Sequence, residues 1–279
     1  MQQAVSAEAR SAPRDPFARE RQEQIARIID EQGRARVTDL AAQFGVSGVT
    51  IRRDLFVLES EQRAVRTHGG AIALDQGRAE VAFDIRDRLQ AAEKALIGAV
   101  AADLVQDGES IVMDASTTAL YVARSLKRRR GWSHLTVITN GLRLASDLAG
   151  FPGITVLMLG GRVRWEALSV VGHLGDGLFE RINVQKVIVG AAGFTIDAGL
   201  TDVTEEEAQI KRAMVSAARE VVAVVDHTKL GRTAIATFCR SDQISTLVTD
   251  EAASPEMLAE LIDVGVAVRR AGTAEVADG

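Results

Sequence analysis

From residue 91 onward two apolar patterns take turns along the chain, and that alternation leaves few ways to fold it. Short apolar runs at 110–113, 135–139, 154–159, 186–190, 221–225, 245–249 and 264–268 have the length and β-branched content of buried strands. Between most of them lie helical patterns, at 91–105, 118–127, 142–148, 173–181, 205–219 and 255–263. Apolar strands separated by helices imply a parallel sheet covered by helices on both faces. In such sheets ligands sit at the carboxyl ends of the strands.

Those ends carry small, hydroxyl and charged residues. The first is Asp114-Ala115-Ser116-Thr117-Thr118, where a strand turns into a helix. Hydroxyls and free amides at a helix start accept an anion such as phosphate. Thr139-Asn140-Gly141, Leu159-Gly160-Gly161-Arg162-Val163-Arg164, Gly190-Ala191-Ala192-Gly193 and Asp226-His227-Thr228-Lys229 follow at later strand ends. Each is a weak signal alone; together they predict a polar, phosphate-accepting pocket. Glu207 and Lys211 lie four apart on one helical face, a spacing that also describes a routine surface ion pair. Lys127-Arg128-Arg129-Arg130 reads as a solvated helix end favoured by the dipole.

The first 90 residues read differently. Residues 1–16 are polar and expected to be disordered. A helix follows over 17–32, with Ile25, Ile28 and Ile29 on one face and Gly33 as its stop. A second short helix opens at Val37, capped by Thr38 or its neighbour, turns Leu40, Ala41 and Phe44 inward, and ends at Gly45. A three-residue turn leads into residues 46–59, with Ser47 as N-cap and Ile51, Leu55 and Leu58 as a buried stripe. Arg53 then points away from the core, flanked by Arg52 and Thr50. This is a helix-turn-helix whose second helix suits a DNA major groove. Arginine bridges guanine or clamps phosphate, and hydroxyls do either more weakly. Short extended stretches at 64–66 and 71–73 around His68-Gly69-Gly70 predict a hairpin, or wing. Arg66, Thr67 and His68 are placed to touch phosphate or the minor groove, although His68 reads equally well as a turn residue without contacts. Residues 75–90 are charged and read as a linker.

Composition narrows the partners. The net charge is −5, and residues 1–80 hold 12 Arg, no Lys and 12 acids, which cancel. DNA binding must therefore rest on where the arginines sit, with dimerisation doubling their contacts. The single cysteine, Cys239, excludes an internal disulfide and fits a reducing cytoplasm. Histidines 68, 134, 173 and 227 show no metal-ligand spacing, so no metal or cofactor is expected. No apolar run reaches membrane-spanning length and the N-terminus is no signal peptide, so no membrane partner is expected either.

The stretch VS..TIRRDL..LE followed by R.HGGA resembles the signature of the DeoR family of bacterial transcriptional regulators. The resemblance runs over roughly 17–250, and its later pieces are D-A-S-T-T, T-N, L-G-G-x-x-R, G-x-x-G, E-x-x-x-K and D-x-T-K. It implies a winged helix-turn-helix (17–74), a linker (75–90), a ribose-5-phosphate-isomerase-like sensor domain (91–270) and a tail (271–279). It further implies an operator-binding repressor of carbohydrate-metabolism genes, usually a homo-oligomer (dimer or tetramer), released by a phosphorylated sugar. By that pattern Ser47, Thr50, Arg52, Arg53, Arg66 and His68 face DNA. Asp114, Ser116, Thr117 and Thr118 hold the phosphate. Arg164, Glu207, Lys211, Asp226 and Lys229 line the rest of the effector site, with Asn140, Gly160, Gly161 and Gly193 in the matching motifs. Three positions depart from the family pattern: Gln62 where glycine usually closes the recognition helix, Ser116 where glycine is common, and apolar Phe56 on a face usually polar. An enzyme reading competes, a sugar-phosphate isomerase or transferase with a DNA-binding appendage, using Glu207 or Asp226 as base and Lys229 against an oxyanion. A third reading is a dimerisation domain with a dead pocket.

Overall fold

The computed structural model describes residues 16–60, 63–67, 69–73, 82–172 and 177–272. The chain divides into two compact units, Met1–Asp75 and Gln76–Gly279.

The first unit runs α1 (Pro16–Gln32), β1 (Arg34–Arg36), α2 (Val37–Phe44), α3 (Gly48–Ser60), β2 (Ala64–Thr67) and β3 (Gly70–Ala73). Its core is the aliphatic seam expected from the spacing: Ile25, Ile29, Leu40, Ile51, Leu55 and Leu58 are all fully buried. Gly45 closes α2 in the left-handed conformation, φ 62°. Two details differ from the expectation. The N-cap of α2 is Arg36, without a side-chain cap, and Thr38 sits inside the first turn bonded to Asp39. No cap is needed at the first amide, because Val37 N–H donates to the Gly69 carbonyl at 2.8 Å. The wing also has a third strand, in the order β1-β3-β2. Three residues of Arg-Ala-Arg carry no alternation from which β1 could be read.

A buried carboxylate fixes α3 against α1. Asp54 accepts from Arg21 Nε at 2.7 Å and from Gln22 Nε2 at 2.9 Å. Arg63 reaches back to Glu23 through two bonds of 2.8 and 3.0 Å, tying the entry of β2 to α1.

The second unit contains α4 (Phe83–Arg88), α5 (Ala91–Asp103), β4 (Ser110–Met113), α6 (Thr117–Arg128), β5 (Leu135–Thr139), α7 (Leu142–Leu148), β6 (Ile154–Met158), β7 (Arg162–Arg164) and β8 (Ser169–Val171). There follow β9 (Val184–Val189), β10 (Gly193–Thr195), β11 (Gly199–Asp202), α8 (Glu205–Ser216), β12 (Ala218–Val224), β13 (Ala236–Cys239), β14 (Thr246–Asp250), α9 (Pro255–Asp263) and β15 (Ala267–Ala271). Seven strands form one sheet in the order β15-β14-β12-β9-β4-β5-β6, every pair parallel. The sheet is buried on both faces: Ile111 and Met113 join the core under α5 and α6, while Val112 between them joins the core under α8. The chain builds outward from β4 in one direction and from β9 in the other. The switch point of this doubly wound sheet is thus the crevice between β4 and β9.

Two small antiparallel sheets, β10-β11-β13 and β7-β8, lie outside the sequence reading. The linker reading of 75–90 is also revised. Phe83–Arg88 is helical, Phe83 is buried, and its amide donates to the Glu166 carbonyl at 2.8 Å, so these residues belong to the second unit. Lys127 and Arg129 are not free in solvent: they donate to the carbonyls of Asp147 and Val105 at 2.7 and 2.9 Å, and Arg129 lies over Trp132. A helix end offers cations unsatisfied carbonyls on neighbouring elements as well as its own.

Removing the Asp54 carboxylate leaves Arg21 without its buried partner. Asp54→Ala should destabilise the first unit by about 2–3 kcal/mol. In hydrogen exchange, amide protection should fall across α1 and α3 and stay unchanged in α5, α6 and β4.

Candidate functional site

Ile51, Leu55 and Leu58 of α3 turn inward, and its outer side carries Thr50, Arg52 and Arg53 beside the exposed apolar Val49 and Phe56. Ser47 caps the helix, accepting from the Thr50 amide at 3.2 Å, and its hydroxyl lies 2.9 Å from that of Thr50. Arg52 and Arg53 are both exposed, and among the described residues neither makes an ion pair or side-chain hydrogen bond. Their guanidinium groups are thus available to an outside anion. Arg66 is differently placed. Its guanidinium lies 3.5 Å from Glu59 and 5.8 Å from the ring centre of Phe56, and its amide donates to Glu59 at 3.2 Å. Apolar Phe56 thereby serves as the surface on which the wing's arginine rests. His68 and Gln62 lie outside the described residues.

In the second unit the strand ends converge on one buried lysine. Lys211, from α8, is 5% exposed. Its ammonium lies 2.7 Å from both Asp114 Oδ2 and Asp202 Oδ2, and donates to the Gly190 carbonyl at 2.9 Å. Phe238 closes the other side, its ring centre 5.0 Å away. Burial alone would lower the Lys211 pKa, but the carboxylates of Asp114 and Asp202 outweigh it and hold it above the ordinary lysine value. Asp114 also accepts from the amides of Ser116 and Gly190, each at 3.1 Å, so one carboxylate shapes the turn into α6 and links β4 to β9.

Glu207 and Lys211 are therefore not a surface pair. Both are buried, and they have separate partners. Arg164 Nη1 donates to Glu207 Oε1 at 2.7 Å, and the Ser169 hydroxyl donates to the same oxygen. Burial raises the Glu207 pKa, against the lowering effects of Lys211, Ser169 and Arg164. This cluster fastens the β7-β8 hairpin to α8. Asn140 belongs to the same corner: its Nδ2 donates to the Val170 carbonyl at 3.2 Å, while its buried Oδ1 has no partner among the described residues.

Ser116 acts as N-cap of α6, accepting from the Ala119 amide at 3.1 Å. Its φ of −71° is ordinary, so a serine fits where the family has glycine. Its side chain instead fills the space beside Gly190, where an added Cβ would lie 2.5 Å from the Ser116 hydroxyl. Thr117 and Thr118 form the first turn of α6, where amides have no intrahelical partner. Gly161 and Gly193 are close-packing positions: a Cβ on either would lie 2.5 Å from the carbonyl oxygen of Val171 or Arg232. Gly160 faces open space. Asp226 caps the turn after β12, accepting from the Thr228 amide at 3.0 Å, and the turn carries Lys229.

Comparison with known proteins now decides the family. Residues 21–77 match the DeoR-like helix-turn-helix domain and residues 89–251 the DeoR C terminal sensor domain. The chain is 35% identical over 253 residues to the HTH-type transcriptional regulator GolR of Listeria innocua, covering 91% of this chain and 98% of that one. The putative aga operon transcriptional repressor of Escherichia coli O157:H7 is 30% identical over 251 residues, with 89% and 92% covered. The protein belongs to the DeoR family. It is a DNA-binding transcriptional regulator. Among solved structures, ribose 5-phosphate isomerase A of Methanocaldococcus jannaschii aligns at 19% identity with a TM-score of 0.38, covering 50% of this chain and 55% of that one. No helix among the described residues is long and apolar enough to cross a membrane.

Sequence reasoning on this DeoR-family chain missed Asp202, Ser169 and Lys94. Asp202 lies on β11, in a small sheet with no legible pattern, and Ser169 on the short β8. Lys94 had a signal: it shares a helical face with Ile97, Gly98 and Ala101, all buried, so periodicity alone points it inward.

Without the ammonium of Lys211, two buried carboxylates would be left uncompensated. Lys211→Met should cost the second unit about 3–5 kcal/mol in urea unfolding at neutral pH. Adding Asp114→Asn and Asp202→Asn to that variant should recover part of the loss.

Proposed function

We propose that this regulator is a repressor of carbohydrate-metabolism genes. It binds its operator as a homo-oligomer and is released when a phosphorylated sugar occupies the carboxyl ends of the parallel sheet. What carries the reading is a helix with a buried aliphatic stripe and two exposed arginines that no group among the described residues neutralises. Arg52 and Arg53 are the primary operator contacts, with Ser47 and Thr50 beside them. Arg66 approaches the DNA backbone from the wing, and His68, outside the described residues, is the further contact proposed. The names of relatives support the sign of control: besides the aga operon protein, a 32% identical relative of Bacillus subtilis is the transcriptional repressor GlcR.

In the second unit Ser116, Thr117 and Thr118 receive the phosphate at the start of α6. Asn140, with its buried unpartnered Oδ1, and open Gly160 face the sugar end, and Asp226 and Lys229 close the other side. Asp114, Arg164, Glu207 and Lys211 hold these walls in place, with Gly161 and Gly193 at their close contacts. A ligand releases DNA only by binding the DNA-incompetent arrangement more tightly than the competent one. Release is therefore a difference of two affinities and sets no requirement on absolute tightness.

Two outcomes are expected. Arg52→Ala and Arg53→Ala should each weaken operator binding in a gel shift by about 1–3 kcal/mol where the residue reads a base, or reduce the salt slope by about 1 where it holds phosphate. Unchanged binding by the double variant would overturn the DNA assignment. In a thermal-shift screen, at least one pentose or hexose phosphate should raise the melting temperature and release the operator, and its unphosphorylated sugar should do neither. No shift with any phosphorylated sugar would favour a pocket without a ligand.

A further inference from the structure

The second unit buries three lysines, and only two of them are paired with carboxylates. Lys211 has Asp114 and Asp202; Lys186 has Glu109. Lys94, in the first turn of α5, is 3% exposed, yet among the described residues its ammonium has no carboxylate within ion-pair distance. One hydrogen-bond partner is present, the Arg86 carbonyl. An ammonium has three donors, so two remain unassigned in a nearly closed environment. Such a cation is costly unless something anionic arrives.

Its surroundings fit an anion from outside. Helix α4 supplies Arg86 and Asp87, and Asp87 is engaged by Arg124 at 3.3 Å. The turn after β12 supplies Asp226 and Lys229, and Lys229 also lacks any ion pair or side-chain hydrogen bond among the described residues. Arg232 adds positive potential at Lys229. Asp226 has one oxygen committed to Thr228. Cations outnumber the uncommitted carboxylates.

The packing of α5 on α6 brings this cluster to the phosphate loop. A Cβ on Gly98 would lie 2.6 Å from the Tyr121 carbonyl carbon, so the two helices touch backbone to backbone there. One turn earlier on each helix stand Lys94 and Thr117. One helix leads into β4 and the other out of it, so both first turns stand at the carboxyl end of the sheet.

We infer that Lys94 is a ligand-contacting residue: together with Lys229 it holds the dianionic end of a phosphate ester at the first turn of α6. This rests on the effector reading above and names the group that reads the ligand's charge. It also gives binding a proton linkage. Burial, helped by Lys229 and Arg86 and opposed by Asp226 and Asp87, lowers the Lys94 pKa to about 8. A bound dianion restores the charged form, so the empty site takes up a proton on binding. Near pH 8 the uptake from Lys94 is about half a proton per site, and affinity rises as the pH falls toward 8 from above. Below that range Lys94 is already charged and the linkage fades.

The test is calorimetric titration of the full-length protein with inorganic phosphate at pH 8, where phosphate itself is mainly dianionic, in two buffers of different ionisation enthalpy. The parent should bind with net proton uptake. Lys94→Met, of similar length and without a charge to bury, should keep or raise the melting temperature, lose about ten- to a hundredfold in phosphate affinity, and show reduced uptake. Lys94→Arg, charged at every pH used, should bind phosphate with the same reduction in uptake. If Lys94 only braces the Arg86 carbonyl, Lys94→Met will lower the melting temperature and bind phosphate like the parent, which overturns the inference and leaves the effector reading standing. If the parent binds neither inorganic phosphate nor any sugar phosphate, both fall together.

Discussion

The sensor half of this protein depends on one buried ammonium. Lys211 draws the end of β4, the end of β9 and the end of β11 to a point by way of Asp114, Gly190 and Asp202. Three chain segments far apart in sequence must be placed within ångströms for that charge to be tolerated. Burying an ion pair adds little net stability compared with an apolar alternative. Its effect is on specificity of arrangement: any packing that separates these strand ends leaves a bare charge in the core. The crevice at the switch point of the sheet is thus held open in one geometry, and the first turn of α6 is aimed by the same Asp114 that neutralises the lysine.

A second consequence is an uneven distribution of charge. The carboxylates nearest the crevice are already committed: Asp114 and Asp202 to Lys211, Glu207 to Arg164 and Ser169. Glu207, one of the two bases of the isomerase reading, is thus engaged by Arg164 and Ser169. Lys94 on α5 and Lys229 on the turn after β12 have no ion pair among the described residues. Paired acids beside unpaired ammonium groups favour an anion over a cation at such a place.

Much of this was legible before any coordinates. The seven parallel strands, the helices α5, α6, α7, α8 and α9, and the aliphatic seam of the first unit all follow from repeated apolar spacing, because burial on two faces or one leaves different periods. The pieces that escaped are those with too few residues to show a period. β1, β7, β8, β10, β11 and β13 have three or four residues each, and they deliver Ser169 and Asp202 to the site. Glu207 and Lys211 show the opposite limit. Their spacing was plain, but spacing places two side chains on one face without saying whether they meet each other or separate partners. Phe83–Arg88 looked like linker because its two large apolar side chains, Phe83 and Ile85, are too few to show a helical period.

The first unit shows how a chain of net charge −5 can still be built to address a polyanion. Around α3 the acids are withdrawn from the surface that matters: Asp54 is buried under Arg21, and Glu59 is turned toward Arg66. The polar groups that remain outward are Arg52, Arg53 and two hydroxyls. Local field, not total charge, governs the last few ångströms of approach, since salt screens charges beyond roughly 10 Å. Two arginines are a small electrostatic contribution by the standard of counterion release. Such a surface binds weakly as a single copy and gains steeply when two copies are joined, because the second contact becomes intramolecular. A modest affinity per copy also makes control by a small molecule feasible. Were two copies joined, a ligand that favoured one arrangement of the pair by a few kcal/mol would remove the joint contact without competing for either half.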